Sequence, residues 1–228
     1  MNILKLINLN KIYKQGKFIQ TQALKNINLE IMNGDFVVIS GPSGSGKTTL
    51  LNIIGALDKP TSGEVIFNNQ DLTNIKENKL ALIRLKNMGF IFQAYNLIPV
   101  LTAEENIEYI MVLKKITPKE RKLKIAQIAA RLGIEDLLTK KPNEMSGGHQ
   151  QRVAIARAIV TEPKLILADE PTANLDSKNA ENLIELMKSL NKEDKITFIF
   201  STHDANLINI ARHNIMLKDG EVFQETKK

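Results

Sequence analysis

The chain has 228 residues, 43% of them hydrophobic and 25% charged, at a net charge of +6, which is ordinary for a globular protein with a sizeable core. It has no cysteine, which excludes a disulfide framework and a thiolate metal site and fits a reducing compartment. No run of about 18 apolar residues is present to form a membrane-spanning helix, and Met1 to Leu6 lack the apolar stretch of a secretion signal.

The first part of the chain reads as strands, at residues 3–13 and 19–31, separated by the turn-like Lys14-Gln15-Gly16-Lys17. Residues 36–40 are a short apolar run, the signal of a buried strand, and residues 50–54 read as a helix. Residues 63–68 form another strand, closed by a turn at Asn69 and Gln70. From about Thr102 to Val160 the pattern is helical. Thr102 with Glu105, and Thr117 with Glu120, each fit a capping box; Pro118 suits the first helical position and Gly133 a helix stop. The densest basic cluster, from Lys114 to Lys124, has no interleaved aromatic residues, so no nucleic-acid partner is expected.

The tail alternates. Residues 165–168 are a buried strand, and 177–190 an amphipathic helix with Leu183, Ile184, Met187 and Leu190 on one face. A strand at 196–200, a helix at 205–211 and a strand at 215–217 complete it. Alternating strands and helices predict an α/β fold, a mostly parallel sheet covered on both faces. The middle helices are then a lobe inserted into one domain, with residues 1–93 and 161–228 as core and 94–160 as lobe.

Between the strand at 36–40 and its helix lies Gly41-Pro42-Ser43-Gly44-Ser45-Gly46-Lys47-Thr48-Thr49, which fits the phosphate-loop pattern G-x-x-x-x-G-K-[ST]. A strand, glycine turn and helix in succession aim backbone N–H groups and a helix dipole at one point, where a polyphosphate sits. Lys47 reaches the terminal phosphates and the Thr48 hydroxyl binds Mg²⁺. The strand at 165–168 ends in Asp169-Glu170. Ligands of open α/β sheets lie outside the carboxyl ends of strands, so Asp169 is placed to hold Mg²⁺ and Glu170 to act as general base on water. Ser146-Gly147-Gly148-His149 precedes a helix and reads as a second open N-terminus for an anion.

These three motifs follow in the order and spacing of the ATP-binding-cassette family, and the chain resembles that family over nearly its whole length. The resemblance implies a P-loop NTPase core of the RecA-like type, with an N-terminal antiparallel β subdomain and an inserted α-helical subdomain. It implies ATP and Mg²⁺ as cofactors and ATP hydrolysis as the activity. It makes Tyr13 the aromatic that stacks on adenine and Gln93 the glutamine that senses Mg²⁺ and water. Asp176, in Asn174-Leu175-Asp176, belongs to the loop that crosses between subunits, and His203 contacts the γ-phosphate. Met145 and His149 depart from the leucine and glutamine usual at those places.

The resemblance further implies two chains packed head to tail, with Lys47 of one and Ser146 of the other gripping one ATP. A membrane-spanning transporter subunit is expected to dock between Gln93 and Pro99, placing the chain peripherally on the cytoplasmic face of the inner membrane. The runs 92–99, 101–106 and 172–176 look most like the branch of lipoprotein-release and macrolide-export ATPases. The alternatives are a cell-division cassette that signals across a membrane, a soluble cassette acting on DNA or ribosomes, and a nucleotide-binding regulator without hydrolysis.

Overall fold

The computed structural model describes residues 1–16 and 19–227, so the predicted turn at Lys14 to Lys17 ends outside the described residues. Two long strands, β1 (Asn2–Gln15) and β2 (Ile19–Met32), pair antiparallel with several register shifts. β3 (Phe36–Ser40) and α1 (Lys47–Ile54) flank the glycine-rich turn. β4 (Ser62–Phe67) and β5 (Gln70–Asp71) extend the first pair into a four-stranded antiparallel sheet of order β2-β1-β4-β5. Asn68 and Asn69 make the β4–β5 turn at positive φ, which asparagine tolerates.

A helix that the pattern did not show follows, α2 (Glu77–Asn87), then β6 (Met88–Ile91). The helical stretch holds α3 (Ala103–Leu113), α4 (Pro118–Leu132) and α5 (Gly147–Ile159), which pack on one another. Thr102 and Glu105 form the full reciprocal box on α3. The start of α4 differs from expectation. Thr117 Oγ1 accepts from the Glu120 N–H at 3.4 Å, but Glu120 makes no return bond, so this is a simple cap. Gly133 stops α4 in the left-handed conformation, as expected.

The remaining elements are β7 (Leu165–Asp169), α6 (Ser177–Asp194), β8 (Thr197–Ser201), α7 (Ala205–Ile210), β9 (His213–Lys218) and β10 (Glu221–Lys227). α6 runs a turn past its last apolar residue, where buried Asn191 donates to the Gly34 and Ile196 carbonyls and Arg131 on α4 pairs with Glu193 and Asp194. The central sheet has the order β10-β9-β3-β8-β7-β6 and is parallel except for the β9–β10 hairpin.

Alternation in the central strands explains the layers. Phe36, Val38, Ile166, Ala168, Phe198 and Phe200 join one buried cluster with the helices from α3 to α7. Their neighbours Val37, Ile39, Leu165, Leu167 and Ile199 face the other way, into a cluster with α1 and the antiparallel sheet. A strand apolar on both faces must be covered twice. Here helices cover one face, and α1 with the four-stranded sheet covers the other. The carboxyl ends of β3, β7 and β8 are left free to build a site.

Candidate functional site

The phosphate loop leaves β3 at its carboxyl end and enters α1 without a side-chain cap. Gly46 stands at the N-cap with φ 102° and makes no capping bond, so the first N–H groups of α1 point outward unspent. Only glycine fits there, since a Cβ would lie 2.6 Å from the Ala23 carbonyl oxygen. Lys47 Nζ arches over the loop, donating to the carbonyls of Gly41 at 2.8 Å and Pro42 at 3.0 Å. The far end of the chain backs the loop. Gly220 N donates to the Ser45 carbonyl at 3.2 Å, and Lys25 N to the Gly220 carbonyl at 2.7 Å.

The loop forms one wall of a cleft of about 650 Å³. Gly41, Pro42, Ser43, Gly44, Gly46, Lys47, Thr48 and Thr49 line it from one side, and Gln93, Glu170, Ser201 and His203 from the other. Ser45 is buried beneath, its hydroxyl without a hydrogen-bond partner. Asp169 ends β7 inside this arrangement. Its Oδ1 accepts from Ser201 Oγ at 2.5 Å and lies 3.4 Å from Thr48 Oγ1. Two hard oxygen donors this close suit Mg²⁺, which takes one or two protein oxygens and completes its shell with phosphates and water.

Glu170 follows β7 with φ 46°, and its N–H donates to the Ser201 carbonyl at 2.8 Å. That left-handed turn aims its side chain back across β8. Oε2 accepts from Thr202 Oγ1 at 3.2 Å, and Oε1 lies 2.8 Å from His203 Nδ1. Glu170 is mostly buried and His203 mostly exposed, so the pair spans the cleft floor and its mouth. A carboxylate so placed can take a proton from water, and the imidazole Nε2 can serve an oxygen above it. Gln93 is held through its backbone, whose carbonyl accepts from Asn174 Nδ2 at 2.9 Å.

Tyr13 stands at the edge of the cleft, paired in register with Thr21, which lines it. Its hydroxyl donates to Asp58 Oδ2 at 2.7 Å. Lys11 Nζ sits 4.7 Å from the ring centroid and bonds Asp58 Oδ1 at 2.6 Å. Burial and the Asp58 carboxylate push the Tyr13 hydroxyl above its ordinary value. Burial also opposes ionisation of Asp58, but hydrogen bonds from Lys11 and Tyr13 outweigh it and hold that carboxyl below the usual range. The ring thus has one face against a cation and an orientation fixed at its hydroxyl.

The remaining predicted residues are elsewhere on the chain. Ser146 caps α5, accepting from the His149 N–H at 3.3 Å, and it and His149 are exposed. Gly147 lies under Tyr95, whose hydroxyl would be 2.7 Å from a Cβ there. Asp176 caps α6 beside Gly148, accepting from Asn179 N at 3.0 Å and Asn179 Nδ2 at 2.6 Å. The Asn179 backbone bond, foremost, holds the Asp176 carboxyl below its ordinary range. None of Ser146, Gly147, Gly148, His149 and Asp176 lines the cleft.

The helix starts sort by charge. α2, α3 and α4 carry glutamates in their first turn, and α6 and α7 have aspartate N-caps. Only α1 and α5 begin without a carboxylate at the cap or in the first turn. A carboxylate there offsets the helix dipole, and these two starts carry none of their own.

Three contacts were not visible in the sequence. Gln151 on α5 is fully buried and donates from Nε2 to the Pro171 carbonyl at 2.7 Å, next to Glu170. Arg157 in the last turn of α5 donates to the carbonyls of Asn96 at 2.6 Å and Tyr95 at 2.9 Å. Ser201 orients Asp169. No local pattern announces contacts 20 to 62 residues apart.

A glycine cradle at a helix start, faced by acids ending β7 one strand beyond its neighbour β8, defines the class: a P-loop nucleoside-triphosphatase. Residues 24–173 match the family model described as ABC transporter. The ABC transporter ATP-binding protein YxdL of Bacillus subtilis is 48% identical over 98% of this chain and 86% of its own length. MJ0796 of Methanocaldococcus jannaschii, also an ABC transporter ATP-binding protein, is 48% identical over 99% of this chain and 97% of its own. A solved structure of the MJ0796 cassette, a dimer in a post-hydrolysis state bound to ADP and Pi, superposes with a TM-score of 0.91 at 47% identity and covers 98% of each chain. The chain therefore belongs to the ABC transporter family, as an ATP-binding subunit and an ATPase that uses ATP with Mg²⁺.

Proposed function

We propose that two copies of this chain pack head to tail and close on two ATP molecules, powering an integral-membrane partner. One observation carries the reading: the single chain separates the two helix starts that lack a carboxylate. The α1 start is inside the cleft, while the α5 start with Ser146 is exposed outside it. A phosphate seated on α1 still presents oxygens outward, and a second copy's α5 start satisfies them. The dimeric state of the MJ0796 cassette agrees with this.

Within each site, Lys47 and the loop N–H groups from Gly41 to Thr49 hold the phosphates, and Tyr13 carries the base. Thr48, Asp169 and Gln93 would hold Mg²⁺, which when bound would offset phosphate charge. Glu170 draws a proton from the attacking water, and His203 bonds the γ-phosphate through Nε2. The partner's Ser146, Gly147, Gly148 and His149 close the site from the other side, and Asp176 steadies the crossing loop. Hydrolysis removes charge that the second terminus binds, so the dimer opens, a switch set by differential affinity.

The division into a core at residues 1–93 and 161–228 and a helical lobe at 94–160 belongs to the same reading. So does docking of the membrane subunit between Gln93 and Pro99, which places the chain on the cytoplasmic face of the membrane. No helix among the described residues is long and apolar enough to cross a membrane, so a spanning path would come from the partner. The branch supported by the motif runs is export or lipoprotein release.

The decisive experiment uses Glu170→Gln. It should bind ATP, turn over very slowly and run as an ATP-dependent dimer in light scattering. Ser146→Arg added to it should bind ATP as a monomer; a dimer there overturns the shared site. Mild-detergent purification of tagged protein from its own cells should bring down an integral-membrane subunit. Recovery of ribosomal or DNA-repair proteins instead would end the transport assignment.

A further inference from the structure

Arg157 is an anomaly. It lies in the last turn of α5, and no carboxylate is within ion-pair range of it among the described residues. Burial lowers its pKa from the ordinary value. Its guanidinium spends two donors on the carbonyls of Asn96 and Tyr95, at 2.6 Å and 2.9 Å. A partly buried cation satisfied only by carbonyls is a poor source of stability, and an apolar side chain of similar volume commonly does as well or better.

The object of this grip is unusual too. Tyr95 and Asn96 are consecutive non-glycine residues in the left-handed region, at φ 59° and 49°. Asparagine tolerates that region but tyrosine prefers another basin, and the turn's own backbone bonds, from Tyr95 N to the Phe92 carbonyl at 3.0 Å and from Asn96 N to the Ala94 carbonyl at 2.6 Å, leave the carbonyls of Tyr95 and Asn96 to Arg157. The turn touches α5 at both ends. Arg157 holds its carbonyls, and the Tyr95 hydroxyl comes within 2.7 Å of where a Cβ on Gly147 would be, at the first turn. Two residues earlier, the Gln93 carbonyl is bonded to Asn174. A side chain that lines the ATP cleft and a helix start that does not are therefore joined through one strained turn.

We propose that Arg157 is a positioning residue: it fixes the Tyr95–Asn96 turn against α5, so that Tyr95 braces the Ser146 helix start for a second copy's nucleotide. Arg157 touches no substrate and acts through Tyr95. The proposal rests on the divided-site reading above. It adds that the proposed docking segment and the Ser146 start move as one unit, linked by a residue that no phosphate contacts.

The test is made in the Glu170→Gln background, with the full chain in solution. Arg157→Met keeps the apolar stem and removes the donors; Arg157→Lys returns one of them. For Arg157→Met the monomer should melt within a few degrees of its parent and bind a fluorescent ATP analogue within about two-fold. Its ATP-driven dimerisation, read by analytical ultracentrifugation, should weaken at least ten-fold, which is about 1.4 kcal/mol. Arg157→Lys should recover part of that loss. If Arg157→Met dimerises like its parent, or if dimerisation falls only in step with melting and Arg157→Lys restores nothing, the proposal is overturned. Ser146→Arg is the control. Dimerisation that survives Ser146→Arg sinks the divided site itself, whereas loss there with no loss in Arg157→Met sinks only the role of Arg157.

Discussion

The starts of α1 and α5 are chemically alike and structurally opposite. Both lack a carboxylate of their own, both are rich in glycine, and both are proposed anion sites. The first is completed by its own chain, with Lys47 arched above it, Ala23 pressed against Gly46, and Gly220 behind Ser45. The second is exposed at Ser146, with one long cap bond to His149 at 3.3 Å and the Tyr95 side chain over Gly147. A helix start that is finished inside a chain binds ligand alone. One left unfinished on a surface binds only when another surface brings the rest.

The largest break in that comparison should come from Lys47→Ala. Loss of the one ammonium over the loop should lower turnover about 10²–10³-fold, and a fluorescent ATP analogue should show the single chain failing to bind. Ser146→Arg should leave that binding untouched. Next comes the same small substitution at both starts. Gly46→Ala forces a Cβ onto the Ala23 backbone at positive φ and should cost about 1–3 kcal/mol in urea unfolding. Gly147→Ala meets only the tip of the Tyr95 side chain and should cost well under half as much. Equal losses would mean that α5 is as enclosed as α1.

His149→Glu sharpens the contrast by giving α5 the carboxylate it lacks. The monomer should gain about 0.3–1 kcal/mol in thermal unfolding from the helix dipole, while ATP-driven dimerisation weakens through repulsion of phosphate. A gain in both would remove the second anion site.

How legible was this in the sequence? Strand, loop and helix around Lys47 were plain, because a buried strand and a glycine turn leave strong local signals. So were the acids ending β7, and the families of strands facing two ways. α2 was missed because only Leu80 of its 11 residues is buried, which leaves no stripe to read. β10 was missed because it is an edge strand with exposed residues, Phe223 among them. The box at Thr117 was half right, since spacing permits a return bond from Glu120 but does not compel it. What Arg157 and Gln151 hold was unreadable, for it is fixed by how α5 packs and not by their neighbours in sequence.

The smallest effect lies at Asp58, beside Tyr13. Asp58 has its pKa lowered by Lys11 and Tyr13 against the effect of burial. A carboxyl depressed on folding contributes stability that is whole above its unfolded pKa, about 3.9, and lost as pH falls through the folded value. Asp58→Asn should therefore flatten the stability curve below about pH 4 and lower stability above it, by about 1 kcal/mol or less given its partial exposure. An unchanged acid limb would free Tyr13 from Asp58.

The β9–β10 turn gives the order of synthesis a meaning. Every residue proposed to contact phosphate within one chain has been synthesised by His203, yet the bond from Gly220 that backs Ser45 needs a residue made later. A chain cut between these points keeps every proposed ligand and lacks only that backing. Nucleotide affinity should thus arrive late and abruptly in translation, with the last hairpin and not with the motif.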